Sequence, residues 1–385
     1  MPERSLDSTG LSARWREAEA ARNAGPAELA RLLCASRERT LALLAAYEAA
    51  LGPELSVPAA PQFNPPLWEL GHVGWFQEYW TRRNRQRSRG IGYDPAHARA
   101  DPLHEHADRL YDSSNVAHDS RWQLPLPDIA ATRGYLQSVL DSTLELLRAS
   151  ADDDAALYFF RLALFHEDMH GEAAVYMGQA LGMPLGASLR APSSRSSATA
   201  RSLHSAGGTW QLGRSGGGFA FDNELCASAV AVPAFEIDQR PERWRDYLPF
   251  VAADGYADSR WWTAEGWRWV QARGSTLPRY LRRDAPSASG EGWEGERFGE
   301  WRALDLDAPG GPVAAHRGAV GMRGDDPAGL RLGRGVGVDR EPIRCVSRIR
   351  RAPVSRLFGA LVRHPFGAAR RRRGHHRTHR PSAIS

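Results

Sequence analysis

Phe160-Arg161-Leu162-Ala163-Leu164-Phe165-His166-Glu167-Asp168-Met169-His170-Gly171-Glu172 is the stretch on which the reading of this chain turns. Its apolar residues recur at helical spacing, and two histidines stand four residues apart. On an α-helix, positions i and i+4 lie on one face about one turn apart, so His166 and His170 can grip one metal ion. Asp152-Asp153-Asp154 supply the acids that suit an N-cap and first turn, and Leu181-Gly182 followed by Pro184 stops the helix. Two imidazoles leave a metal site incomplete, so a third ligand has to come from another segment.

Upstream, Gly25-Pro26 opens a helix carrying Leu29, Leu32, Leu33, Leu43, Leu44 and Tyr47, which ends at Gly52-Pro53. A proline-rich connection leads to a second helix, expected to be capped by Asn64, on which Trp68, His72, Phe76 and Trp80 repeat every four residues. His72 thus sits in an aromatic, inward-facing stripe. A long polar loop from Arg82 to Pro127 follows, its tyrosines and Trp122 arguing for order. A third helix starts after Pro127-Asp128. With the helix of His166, these four amphipathic segments predict a four-helix bundle over residues 25–183, a fold that builds metal sites from inward-facing side chains. Residues 1–24 read as a polar arm.

The bundle makes His72 the natural third ligand. Three neutral imidazoles leave open positions on an octahedral ion, as oxygen-activating iron enzymes require, whereas a closed zinc site needs four ligands, preferably thiolates. Taken singly, each histidine is equally a hydrogen-bonded core residue. His166 to His170 also matches H-E-x-x-H, the zinc protease helix. The extended protease signature wants Gly and His where this chain has Ala173 and Tyr176, and Arg190 stands where a downstream glutamate would fall.

Residues 184–206 turn Ser-, Ala- and Arg-rich and read as a linker. Over 207–312 glycines, aromatics and short alternating runs predict strands and turns, among them Gly218 to Glu224, with a helix around Trp244 to Ala252. The tail, 313–385, has neither tryptophan nor tyrosine, and its charge differs: residues 1–312 hold 33 Arg against 41 acids, residues 313–385 hold 17 against 4. The tail reads as poorly ordered and as a frameshifted reading of GC-rich codons. Its Arg370 to Arg373 run has no accompanying nucleic-acid motif, so no specific nucleic-acid partner is expected. Three scattered cysteines without C-x-x-C pairing fit a reducing cytosol. The first 22 residues lack a signal-peptide apolar region, and no run approaches a membrane span. A cytoplasmic protein is expected.

Pro66-Leu67-Trp68-Glu69-Leu70-Gly71-His72, with His166-Glu167-Asp168-Met169-His170-Gly171-Glu172, resembles the ergothioneine-type sulfoxide synthases. The resemblance implies an α + (α+β) architecture. A DinB-like four-helix bundle is followed by a formylglycine-generating-enzyme (sulfatase-modifying-factor) type domain, here incomplete. It further implies Fe(II) on His72, His166 and His170, and O2-dependent joining of a sulfur donor to C2 of the imidazole of hercynine. Trp75 to Trp80, Tyr111-Asp112-Ser113-Ser114 and Phe165 to His170 look most like the selenoneine synthases, which use a selenosugar donor. Glu167 and Glu172 are candidates to support the ligands from behind, and Arg121 to meet an anionic donor. Many members carry glutamine where this chain has Met169, which bears on the substrate. After Pro312-Val313 the family's Cys-x-Trp-like and L-P-T-E-A-E-W-E-like elements are missing. The family's substrate-facing aromatics would lie there, so no catalytic residue is assigned. Two further readings stay open: a non-catalytic relative, and a bundle-only, metal-dependent thiol transferase of the DinB type.

Overall fold

A computed structural model of the chain describes residues 11–189, 202–225, 227–238, 243–283 and 292–308. Among the described residues, eight α-helices run in the order α1 (Leu11–Arg22), α2 (Pro26–Leu51), α3 (Pro66–Trp80), α4 (Ala107–Tyr111), α5 (Ile129–Arg148), α6 (Asp154–Ala180), α7 (Trp244–Ala252) and α8 (Ala264–Arg273). Helices α2, α3, α5 and α6 form the expected bundle. The caps follow the local chemistry. Asp128 accepts from the Ala131 amide at 2.8 Å and Asp153 from the Ala156 amide at 2.8 Å, each pairing a donor that a helix start leaves unmet. Gly52 closes α2 with φ at 79°, a conformation that glycine adopts without a Cβ penalty.

The cap assigned to Asn64 does not form. Pro65 is the N-cap of α3, with Pro66 in its first turn; neither has an N–H to satisfy. The Asn64 amide donates to Glu69 instead.

α3 is buried nearly all round, with Trp68, Val73, Trp75, Phe76 and Trp80 in the core. It is sandwiched between the other helices and the 82–127 loop, which is ordered. Arg83 forks onto Asp108 at 2.6 and 2.8 Å, Trp75 donates to Asp108 at 2.7 Å, and Trp68 donates to the Leu110 carbonyl at 2.8 Å.

At the bundle centre Arg37 of α2 reaches the other three helices. It donates to Glu167 of α6 at 2.8 and 3.1 Å, to Gln77 of α3 at 2.6 Å, and to the Leu136 carbonyl of α5. Both partners of the ion pair are only 2% exposed. Breaking one side of such a pair costs about 3–5 kcal/mol because the other charge stays buried.

The second region is mixed and small. Strand β1 (Ser202–Ser205) pairs antiparallel with β4 (Phe235–Asp238), and β2 (Gly208–Leu212) with β3 (Ser228–Val232). β5 (Leu281–Arg283), β6 (Trp293–Arg297) and β7 (Glu300–Ala303) form a three-stranded antiparallel sheet. Tyr247, Phe250, Trp262, Val270 and Leu281 make its separate core.

Three expectations change here. The segment read as a polar arm contains α1, and Ala21, with Ala24 just beyond the helix, joins Leu29, Leu157 and Phe160 in the core. The linker is shorter than expected, because Ser202–Ser205 finds a partner strand. Gly218 to Glu224 is no strand: Phe219 is fully buried against Tyr158 and Phe165, and Arg22 clamps the segment through Glu224 at 2.9 and 3.0 Å. A side chain driven into the bundle replaces pairing with a neighbouring strand. Residues 309–385, and with them the frameshift expectation, lie outside the described residues, as do 190–201 of the linker.

Two helical glycines give opposite expectations. A Cβ at Gly71 would lie 2.1 Å from the Tyr111 ring, whereas one at Gly134 of α5 meets nothing within 4 Å. Gly134→Ala is expected to stabilise by about 0.5–1 kcal/mol and Gly71→Ala to destabilise by about 1–3 kcal/mol, measured as urea midpoints. Stabilisation by both substitutions would contradict the packing of Tyr111 on α3.

Candidate metal centre

His72, in the middle of α3, meets His166 and His170 of α6 in the bundle core. One ligand atom from each lies within 4.8 Å of the others, and the Nε2 atoms of His166 and His170 are 3.2 Å apart. His72 and His166 are 2% and 4% exposed. The three residues named from the sequence are therefore brought together.

Each ring is held from outside the cluster. His72 Nδ1 lies 2.8 Å from the Tyr111 carbonyl. A carbonyl only accepts, so Nδ1 carries the proton and the Nε2 lone pair faces inward. His170 Nδ1 faces the Glu69 carboxylate, which selects the same tautomer. His166 stacks on Phe76 with centroids 3.5 Å apart, and His72 stacks on Trp68 at 4.9 Å. Carboxylate and carbonyl partners of this kind orient metal-binding imidazoles and raise their basicity.

The electrostatics agree. Burial, then the neighbouring His170, pushes His72 down to about 3. Burial, then His170 and His72, holds His166 well below the ordinary histidine value. Burial alone would raise the Glu69 carboxyl, but the charge and hydrogen bond of His170 outweigh it, aided by His72 and Asn64, and bring it down to about 2. His72 and His166, kept neutral by burial, and the adjacent His170 thus bring three imidazoles to one point where a metal ion could take their lone pairs. The donor set, three imidazoles with no thiolate, fits a transition metal with open coordination positions.

The other residues singled out from the sequence lie further out. Glu167 is buried with both oxygens on Arg37, so the H-E-x-x-H run offers no carboxylate free to act as the base a zinc protease needs. Glu172 is exposed on α6. Arg121 is buried with its guanidinium carbon 3.7 Å from the Trp68 ring centroid. Sequence reasoning missed Glu69, the carboxylate that does meet one of the three histidines. In sequence it is an acid in the first turn of a helix, where the dipole favours one anyway. It missed the Tyr111 carbonyl and Arg37 as well. Beside Glu69 and His170, Leu43, Leu70, Val73 and Met177 line an apolar cavity between α2, α3 and α6.

Among the described residues no helix is long and apolar enough to cross a membrane. Residues 32–178 match the family model of the DinB superfamily. Hercynine oxygenase of Mycobacterium tuberculosis is 32% identical over 291 residues, covering 74% of this chain and 63% of that protein. Hercynine oxygenase of Mycolicibacterium thermoresistibile is 31% identical over 299 residues, 74% of this chain and 59% of that protein. The Mycolicibacterium smegmatis protein of the same name is 30% identical over 288 residues, 73% and 61%. The chain spans about three fifths of the length of the curated relatives it matches. Its helical domain is DinB-like, and along about three quarters of its length the chain is homologous to hercynine oxygenases.

Proposed function

We propose that this chain is a non-heme iron enzyme of the ergothioneine type, with Fe(II) held by His72, His166 and His170. Its substrates are hercynine, O2 and a thiol or selenosugar donor, and the bond formed is C–S or C–Se at C2 of the hercynine imidazole. The observation that carries this reading is the set of three imidazoles, two buried and one partly buried, converging on one point, in a chain homologous to hercynine oxygenases. When bound, Fe(II) supplies the one-electron chemistry through which O2 reacts with closed-shell substrates. The protein's own share is positional. The Tyr111 carbonyl and Glu69 fix the tautomers of His72 and His170. Trp68, Trp75 and Phe76 wall the centre off from water. Met169, partly exposed next to His170, offers only a weak thioether acceptor, which bears on how a substrate imidazole is held and on the choice between sulfur and selenium. Residues 207–312 form part of a sulfatase-modifying-factor-like domain in this reading, and the protein works in the reducing cytoplasm.

A second reading is a metal-binding relative without turnover, in which the histidine cluster holds an ion but no bond is formed. The test is oxygen uptake and product mass spectrometry with iron-loaded chain, hercynine and each donor in turn. Oxygen consumed in step with hercynine, with a new C2–S or C2–Se product, is expected. Iron binding with no oxygen uptake identifies the non-catalytic relative. Peptide hydrolysis by the zinc form would instead establish a protease.

The neutral histidines also set a pH dependence. With His72 and His166 depressed in the fold, the unfolded chain binds more protons below the ordinary value of 6.5. Stability of the metal-free protein is therefore complete above 6.5 and is lost as pH falls toward the folded His72 value of about 3. The urea midpoint is expected to drop between pH 7.5 and 5.5, and to drop less in His72→Asn. A midpoint with the same pH slope in both proteins would show that His72 is not buried neutral.

A further inference from the structure

Arg121, a candidate from the sequence to meet an anionic donor, has partners in the fold that lead toward the histidine cluster. It lies in the long loop, 8% exposed. That part of the loop is pinned to the segment before α3: Trp122 donates to the Val57 carbonyl at 3.0 Å, and His118 Nε2 lies 2.9 Å from the Phe63 carbonyl. From this position the guanidinium reaches two metal-binding histidines by separate routes. Through its edge, Arg121 donates to Asn64 Oδ1 at 2.8 Å. The Asn64 amide nitrogen donates to Glu69 Oε1, and Glu69 Oε2 accepts from His170 Nδ1. Through its face, Arg121 covers Trp68 at 3.7 Å, and Trp68 stacks on His72 with the planes 6° apart. The indole is itself fixed by its bond to the Leu110 carbonyl.

We propose that Arg121 is a positioning residue for the metal centre: one guanidinium braces His170 through Asn64 and Glu69, and His72 through Trp68. Arginine suits the task because its planar fork can bond edge-on and stack face-on at once, which a lysine ammonium cannot. Asn64 works as the coupling piece because its amide accepts at one end and donates at the other. Glu69 could in principle turn either oxygen to His170; the Asn64 amide occupies one and leaves the other for the imidazole. The buried cation also balances the partly buried carboxylate near the ligands, where an unpaired charge would be costly. The arrangement gives a purpose to a loop that would otherwise be long for a compact bundle. This inference rests on the three-histidine metal reading and not on the identity of the substrate.

The test uses the full chain and Co(II), whose visible bands report the ligand field directly. Wild type, Arg121→Met, Arg121→Lys, Asn64→Leu and the Arg121→Met/Asn64→Leu pair are titrated, with circular dichroism establishing that each is folded. Arg121→Met and Asn64→Leu are each expected to weaken Co(II) binding about 10–100-fold, the range for partners standing behind metal ligands, and to shift the bands. Arg121→Lys should fail to restore either. The double variant should lose less than the product of the single losses, as expected for members of one chain of contacts. If any of these variants does not fold, the remaining ones decide. Folded Arg121 and Asn64 variants that bind Co(II) with wild-type affinity and spectrum would overturn the proposal. If such an Arg121→Met protein instead showed a raised KM for donor or hercynine, Arg121 would be a substrate contact, its one unpaired Nε–H then being the donor used. Failure of the wild type to bind Co(II) would remove the metal reading itself, and this proposal with it.

Discussion

The buried ion pair of Arg37 and Glu167 governs the geometry of this bundle. One guanidinium bonds to groups on α3, α5 and α6 while standing on α2, so sliding or rotating any of these helices breaks at least one charge-assisted bond. Glu167 directly follows His166. Once its carboxylate is fixed on Arg37, the neighbouring position on α6 is turned toward α3, because successive helical residues differ by about 100°. The same contact thus closes the bundle and aims the histidine face. Glycine at position 71 lets Tyr111 close on α3 from the other side and bring its carbonyl to His72.

The convergence of the three histidines was legible because it obeys local rules. Histidines at i and i+4 on an apolar helix, and one histidine on an aromatic stripe of period four, can be recognised without knowing how the helices pack. The cap acids Asp128 and Asp153, and the helix-ending Gly52, were equally readable. What supports the ligands was not. Glu69 meets a histidine 101 residues away, and Arg37 meets a glutamate 130 residues away. Neither distance leaves a mark on periodicity. Asn64 misled for a related reason: asparagine before a helix is a good cap by type, but two prolines had already removed the donors it would have served. Phe219 read as a strand residue from its alternating neighbours, whereas the bundle offered its ring a better-packed place than any sheet.

The second region was legible in texture but not in plan. Glycine-rich turns and short apolar runs correctly indicated strands, and α7 spans the residues expected. Which strands pair, and that Ser202–Ser205 is one of them, depends on contacts between distant segments. The exposed Trp210 and Leu212 on β2 belong to a ribbon whose register no local signal sets.

The claim on which everything functional depends is that three imidazoles from two helices form one site. Anaerobic Fe(II) titration of the full chain and of His72→Ala, His166→Ala and His170→Ala measures it most directly. The account predicts one ion per wild-type chain and loss of tight binding in every variant, His72→Ala included. Stoichiometric, tight Fe(II) binding that survives the loss of His72 would contradict it.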